Sequence, residues 1–287
     1  MDKETSLVLR TKGVKENFIT VNNCLIRYLT AGTGDPLILI HTMRTQSDYF
    51  QKIIPELSSH YSIYAIDLPG HGRSGLPKRI AYTEQYFMQT VRRFMDTLHL
   101  NNVTVVGESF GATIALTLAA SDENRTIRKV FAFNPYDYGK RGGIIRSSKT
   151  ARNVFSLIQL PLIGTIVSQN ETDGILRKII YGGLNRKNNL SNELLATLAA
   201  TRKRKGFPNA FKSMSRHWES WIAARDLYSQ IKIPVALVYS ESDWSTEVER
   251  KANQELIPQC NCYIMRNTGH FSCIDNPTEV LKIILSK

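Results

Sequence analysis

A chain of 287 residues, 42% hydrophobic and 22% charged, has the composition of a globular protein and the length for one large core or a core with an insertion, which excludes a disordered chain and a small disulfide scaffold. Its 37 Lys and Arg outnumber 25 Asp and Glu by 12, a balance that admits nucleic acid, an anionic membrane or an anionic substrate as partner without choosing among them. The four cysteines, Cys24, Cys260, Cys262 and Cys273, include no Cys-x-x-Cys pair and no His/Cys cluster at metal spacing, so free thiols and no metal site are expected.

Residues 1–13 are polar and mixed in charge, without the basic start and apolar core of a signal peptide, and a cytoplasmic chain is the expectation. Phe18 to Val21 and Cys24 to Ala31 alternate like strands about the turn pair Asn22-Asn23, and Gly32 to Asp35 then breaks the chain. Leu37 to Ile40, Tyr61 to Ile66 and Val103 to Val106 are almost continuously apolar, as parallel strands covered on both faces are. Between them Tyr82 to Leu98 has helical spacing, with Tyr86, Val91, Phe94, Met95 and Leu98 on one stripe. Gly111 to Ala120 reads as a small, Ala-rich helix. Lys129 to Phe133, Val235 to Tyr239 and Cys262 to Met265 supply three more strands, and Pro277 to Leu285 a terminal helix. The expected fold is therefore α/β, a mostly parallel eight-stranded sheet flanked by helices.

The alternation is interrupted between Phe133 and Pro234. Residues 1–135 and 233–287 form the expected core, and 136–232 a helical insertion. From Gly139 to Lys232 there are 17 Lys or Arg against 5 Asp or Glu, and the rest of the chain carries 20 of each, so the whole excess of charge lies between Gly139 and Lys232, within the insertion. Val154 to Val167 is broken by Ser156, Gln159, Pro161 and Gly164, falls short of the roughly 18 apolar residues of a membrane span, and reads as a buried or interfacial helix.

Val103 to Val106 runs into Gly107-Glu108-Ser109-Phe110-Gly111 and then a helix. A serine on a tight strand-to-helix turn is pushed out toward substrate, the flanking glycines let strand and helix approach, and the helix N-terminus favours negative charge on an acyl oxygen. Serine needs a base, and the base an orienting acid. Only His217 and His270 follow Ser109. His270, in Asn267 to Phe271 after a strand, belongs at the carboxyl edge of the sheet, whereas His217 lies in an amphipathic stretch of the insertion. Asp243, after Val235 to Tyr239, is the expected acid, with Asp137 the main competitor and Glu241 behind it.

With Leu37 to His41, Asp67-Leu68-Pro69-Gly70-His71-Gly72-Arg73-Ser74, the Gly107 to Gly111 elbow, Asp243 and Gly269-His270 in this order, the chain resembles the α/β-hydrolase superfamily with an inserted helical cap. The resemblance implies a Ser109-His270-Asp243 triad, an oxyanion hole from the backbone N–H groups of Phe110 and Met43, and a small-molecule acyl substrate, with no cofactor. His41-Thr42 departs from the usual His-Gly of that loop. His41, Asp67 and His71 are expected to order loops.

Arg44, Trp218 and Trp244 are expected to contact substrate, Arg44 having a role at the cap interface as its alternative. Phe155, Leu157, Ile158, Leu160, Leu162, Ile163 and Trp221 are further candidates for the pocket. The implied reaction is hydrolysis of a carboxylic ester, thioester or lactone. Carbon–carbon bond hydrolysis, acyl transfer and a ligand-receptor role on the same fold remain as alternatives. A serine at the elbow disfavours the dehalogenase and epoxide hydrolase chemistries, which use aspartate there. Arg202-Lys203-Arg204-Lys205 offers a contact for an anionic membrane or an acidic partner, and no nucleic-acid module is present.

Overall fold

In the computed structural model, which describes residues 6–139, 143–160 and 163–286, the apolar runs form one eight-stranded sheet. Its strands are β1 (Lys15–Val21), β2 (Cys24–Ala31), β3 (Pro36–Ile40), β4 (Ser62–Ile66), β5 (Val103–Glu108), β6 (Ile127–Phe133), β7 (Val235–Ser242) and β8 (Cys260–Gly269). They lie in the order β1-β2-β4-β3-β5-β6-β7-β8. β1 and β2 pair antiparallel across Asn22 and Asn23, both at positive φ, the conformation a two-residue hairpin turn demands. β2 is also antiparallel to β4, and the remaining pairs are parallel.

Every residue of β5 is buried because helices cover both faces of the sheet. On one helix, α1 (Glu84–Thr97), Thr83 caps the N-terminus through the Tyr86 N–H, and Phe87, Val91, Phe94 and Met95 are buried. α2 (Phe110–Ala120) is buried from Phe110 to Ala119, so small and apolar residues suit all of its faces. Its closeness to β3 depends on Gly111, where a Cβ would stand 1.9 Å from the Ile40 carbonyl oxygen.

The insertion between β6 and β7 is helical: α3 (Lys149–Ile158), α4 (Ile163–Gln169), α5 (Asp173–Tyr181), α6 (Asn192–Arg202), α7 (Phe207–Arg216) and α8 (Trp218–Ala223). Beyond it, α9 (Glu247–Leu256) connects β7 to β8 and α10 (Pro277–Leu285) ends the fold. The single helix expected over Val154 to Val167 is instead the end of α3 and the body of α4. Gly164 lets the two meet, since a Cβ there would lie 2.0 Å from the Ile158 carbonyl oxygen. Leu162 lies outside the described residues. Leu157, Leu160 and Ile163 are exposed rather than lining a pocket, while Phe155 and Ile158 are buried. The four cysteines are free thiols, and among the described residues no helix is long and apolar enough to cross a membrane.

Candidate active site

The parallel strands bring four connections to one edge of the sheet: the loop after β3, the elbow after β5, and the loops after β7 and β8. Ser109 sits between β5 and α2 with φ 56° and ψ −111°, the strained conformation of a residue thrust out of a sharp turn. Gly107 makes the turn feasible, because a Cβ there would fall 2.0 Å from the Gly111 carbonyl oxygen. His270 Nε2 lies 2.9 Å from Ser109 Oγ, and His270 Nδ1 lies 2.5 Å from Asp243 Oδ1. Burial opposes ionisation of Asp243. The adjacent His270, with hydrogen bonds from His270 and Ser245, outweighs it and holds the carboxyl down at about 2. An ionised Asp243 accepts the hydrogen bond that Nδ1–H donates, which leaves Nε2 to accept from the serine hydroxyl.

Asp137 lies elsewhere. It accepts from Tyr228 Oη at 2.6 Å and from Asn253 Nδ2 at 3.0 Å, and burial raises its pKa. Glu241 accepts the Asn267 N–H at 2.8 Å on an exposed strand end. His217 binds the Ser213 carbonyl oxygen, one turn back on α7.

The backbone N–H groups of Phe110 and Met43 have no acceptor among the described residues, and Gly111 packs on the loop that carries Met43. In that loop the left-handed residue is Arg44, with φ 68°, whereas Thr42 takes an ordinary conformation and tolerates its Cβ. His41 has both ring nitrogens engaged, Nδ1 with the Thr42 carbonyl at 2.8 Å and Nε2 with the Leu68 N–H at 3.0 Å. Asp67 ties the loops after β3 and β4 together, accepting from Ser47 N at 2.8 Å, Arg73 N at 2.9 Å and the buried Arg27 guanidinium at 3.1 Å. His71 hydrogen-bonds the Pro69 carbonyl, and burial depresses its pKa. These three residues order loops.

The residues expected to contact substrate divide. The Trp244 indole stacks on the His270 ring, centroids 3.7 Å apart and planes 12° from parallel, and its N–H donates to the Gly182 carbonyl at 3.1 Å. Arg44 is buried against the insertion: it pairs with Glu171 and lies over the Phe207 and Phe211 rings. Trp218 has no ring contact with the triad among the described residues. Trp221, one turn along α8, is fully buried and stacks on Phe110 at 3.7 Å.

Other supports were not singled out from the sequence. Asn134 Nδ2 donates to the His270 carbonyl at 2.9 Å and to Ser240 Oγ at 3.0 Å, fixing the ends of β6 and β7 to the histidine. Glu108, beside the nucleophile, accepts from Ser272 N and Oγ at 2.5 Å each and from the Tyr49 hydroxyl. The Gly183 carbonyl of the insertion accepts the Phe271 N–H at 3.2 Å, and a Cβ on Gly183 would meet the Phe271 and Trp244 rings at 2.6 and 2.8 Å. A glutamate inside an otherwise apolar and small elbow and a Gly-Gly pair in a helical insertion mark two of these positions in the sequence without naming their partners. Among the described residues no group of three or more His, Cys, Asp or Glu is placed to hold a metal.

Comparison with known proteins places this geometry in context. The family model described as alpha/beta hydrolase fold matches residues 35–168. The 2-hydroxy-6-oxo-6-(2'-aminophenyl)hexa-2,4-dienoic acid hydrolase of Metapseudomonas resinovorans is 23% identical over 94% of this chain and 90% of its own length. A haloalkane dehalogenase of Agrobacterium fabrum is 32% identical, but over 43% of this chain and 40% of its own length. Among solved structures, the epoxide hydrolase CorEH superposes with a TM-score of 0.83 at 20% identity, covering 95% of this chain and 97% of its own.

Proposed function

Because the chain belongs to the α/β-hydrolase superfamily, where function resides in the side chains mounted on a shared scaffold, we propose from those side chains that it is a serine hydrolase of carboxylic esters, thioesters or lactones. The observation that carries this reading is the continuous hydrogen-bonded chain from Ser109 Oγ through His270 to an ionised Asp243. Ser109 Oγ attacks the substrate carbonyl while His270 Nε2 takes its proton, and Asp243 holds Nδ1–H and stabilises the imidazolium. The Phe110 and Met43 N–H groups, with the N-terminal end of α2, receive the charge that forms on the carbonyl oxygen. His270 then protonates the leaving group, and water activated by the same ring cleaves the acyl-enzyme.

In this reading the insertion is a cap. Trp221 on Phe110 roofs the elbow with aromatic surface, which suits an uncharged acyl group, and Gly182 and Gly183 hold the acid and base loops. The cytoplasm is the compartment assumed. A second reading, carbon–carbon bond hydrolysis by the same serine, is favoured by the relative named for a 6-oxo-dienoic acid, which aligns over nearly the whole chain. A panel of esters, thioesters and lactones of graded acyl length, with a 2-hydroxy-6-oxo-dienoic acid beside them, assayed with the protein and with Ser109→Ala, separates the two. The proposal expects Ser109-dependent turnover of at least one acyl ester, thioester or lactone. Turnover of the dienoic acid alone would replace it with the second reading.

A further inference from the structure

Four large apolar side chains stand in solvent within ten residues of the insertion: Leu157 and Leu160 are 42% exposed, Ile163 47% and Ile166 59%. Leu157 lies in the last turn of α3, Leu160 in the turn that follows it, and Ile163 and Ile166, three apart, share one side of α4. α3 and α4 touch at Ile158 and Gly164, so the four exposed side chains flank one helix junction, an apolar crest on the insertion. Scattered exposed leucines need no explanation, whereas four large exposed apolar side chains at one helix junction call for one.

The rim of the crest is cationic. Lys212 reaches α4 through a 3.0 Å hydrogen bond from Nζ to Thr165 Oγ1. Arg216 follows Ser215, whose carbonyl accepts from Gln159 at the end of α3. Lys203 and Lys205 are exposed and share a crevice with Gln169, the last residue of α4. No Asp or Glu occurs from 143 to 170 or from 202 to 218, and Glu171 is buried against Arg44.

We propose that this crest docks on an anionic phospholipid bilayer, with Leu157, Leu160, Ile163 and Ile166 entering the headgroup boundary while Lys203, Lys205, Lys212 and Arg216 meet the lipid phosphates. Charge selects this occupant over a second copy of the chain, since a two-fold dimer through the crest would set the same cations face to face. The surface belongs to the stretch from Gly139 to Lys232 that holds the entire charge excess, and its docking does not depend on the chemistry at Ser109.

The test is flotation with vesicles of phosphatidylcholine, with and without phosphatidylserine, at low and physiological salt. The protein is expected to float with phosphatidylserine vesicles and to be released by salt. Each cation contributes roughly a five-fold factor in partitioning, so Lys203→Glu with Lys205→Glu is expected to weaken binding at least twenty-fold. Ile163→Ser with Ile166→Ser, exposed positions whose change leaves the core intact, is expected to weaken it about ten-fold while keeping the salt dependence. Equal flotation with and without phosphatidylserine, or retention unchanged in both variants, would overturn the proposal. So would a solution dimer that the isoleucine variant converts to a monomer, which would give the crest to a second copy. Binding of a polyglutamate peptide without vesicle retention would give it to an acidic protein.

Discussion

The indole of Trp244 lies flat on the imidazole of His270, at van der Waals distance, while its ring N–H is held by the Gly182 carbonyl of the insertion. The proposed base is therefore fixed on three sides: by Trp244 across its face, by Asp243 at Nδ1 and by Asn134 through its backbone carbonyl. A stacked indole attracts an imidazolium more strongly than a neutral ring, so the contact strengthens as the proton moves from Ser109. Trp244→Ala is expected to lower kcat about ten-fold with a smaller change in KM. Trp244→Phe keeps a ring over His270 and is expected to retain most of the turnover. Steady-state kinetics of the two variants check this, and an unchanged kcat in the alanine variant would contradict it.

The two carboxylates that compete from sequence are separated by their partners. Asp243→Asn removes the acceptor that sets the His270 tautomer and is expected to cut kcat roughly 10³- to 10⁴-fold. Asp137→Asn, which disturbs a buried contact with Tyr228 and Asn253, is expected to retain most turnover and to lower the melting temperature. Kinetics and thermal melts of both proteins decide the assignment, and the reverse pattern would move the acid to the end of β6.

Arg44 and Glu171 join the loop after β3 to the insertion in a buried ion pair, and among the described residues Arg44 Nε and Glu171 Oε1 have no partner. A pair so incompletely satisfied recovers little of its desolvation cost, yet removal of one member strands the other charge. Arg44→Met alone is expected to cost about 3–5 kcal/mol, and the double change Arg44→Met with Glu171→Leu to restore most of that loss. Chemical denaturation of the two single variants and the double variant measures the coupling.

Glu84 opens α1 with its carboxyl buried, and burial raises its pKa to about 7 although Thr117 Oγ1 donates to it at 2.5 Å. The unfolded chain releases this proton near pH 4.5, so the native state holds a proton that the unfolded state has lost between that pH and about 7. The contribution to stability is complete below about pH 4.5, falls as pH rises from there to about 7, and is flat beyond. Glu84→Gln is expected to match the parent near pH 4 and to exceed it by about 3 kcal/mol at pH 8. Denaturant melts across that range test both the sign and the window.

The architecture was legible because burial on two faces leaves a direct mark on sequence: β3, β4 and β5 are almost uninterrupted apolar runs, and the Asn22-Asn23 turn marks the hairpin. Ser109 was legible because its turn demands glycine at 107 and 111, and His270 because few histidines follow the serine. What a side chain pairs with across the fold leaves no such mark. Glu108 on Ser272, Asn134 on His270 and Trp221 on Phe110 join positions more than eighty residues apart, and residue type alone does not identify the partner. Arg44 is the clearest case: its place in the expected oxyanion loop suggests a substrate contact or a role at the cap interface, and its guanidinium is turned to Glu171 of the insertion, a partner 127 residues away that residue type does not name. The break between α3 and α4 lay in a stretch whose interruptions were visible and whose exposed crest was not, since helical spacing does not tell which apolar face stays uncovered.

Labelling with a fluorophosphonate tests the central claim most directly, because the reagent traps a serine only where a base and an oxyanion site act on it. One adduct is expected by intact mass, mapping to the peptide of Ser109, with labelling and acyl hydrolysis both lost in Ser109→Ala. A Ser109→Ala protein that still takes the label and hydrolyses acyl substrates at the parent rate would contradict the account.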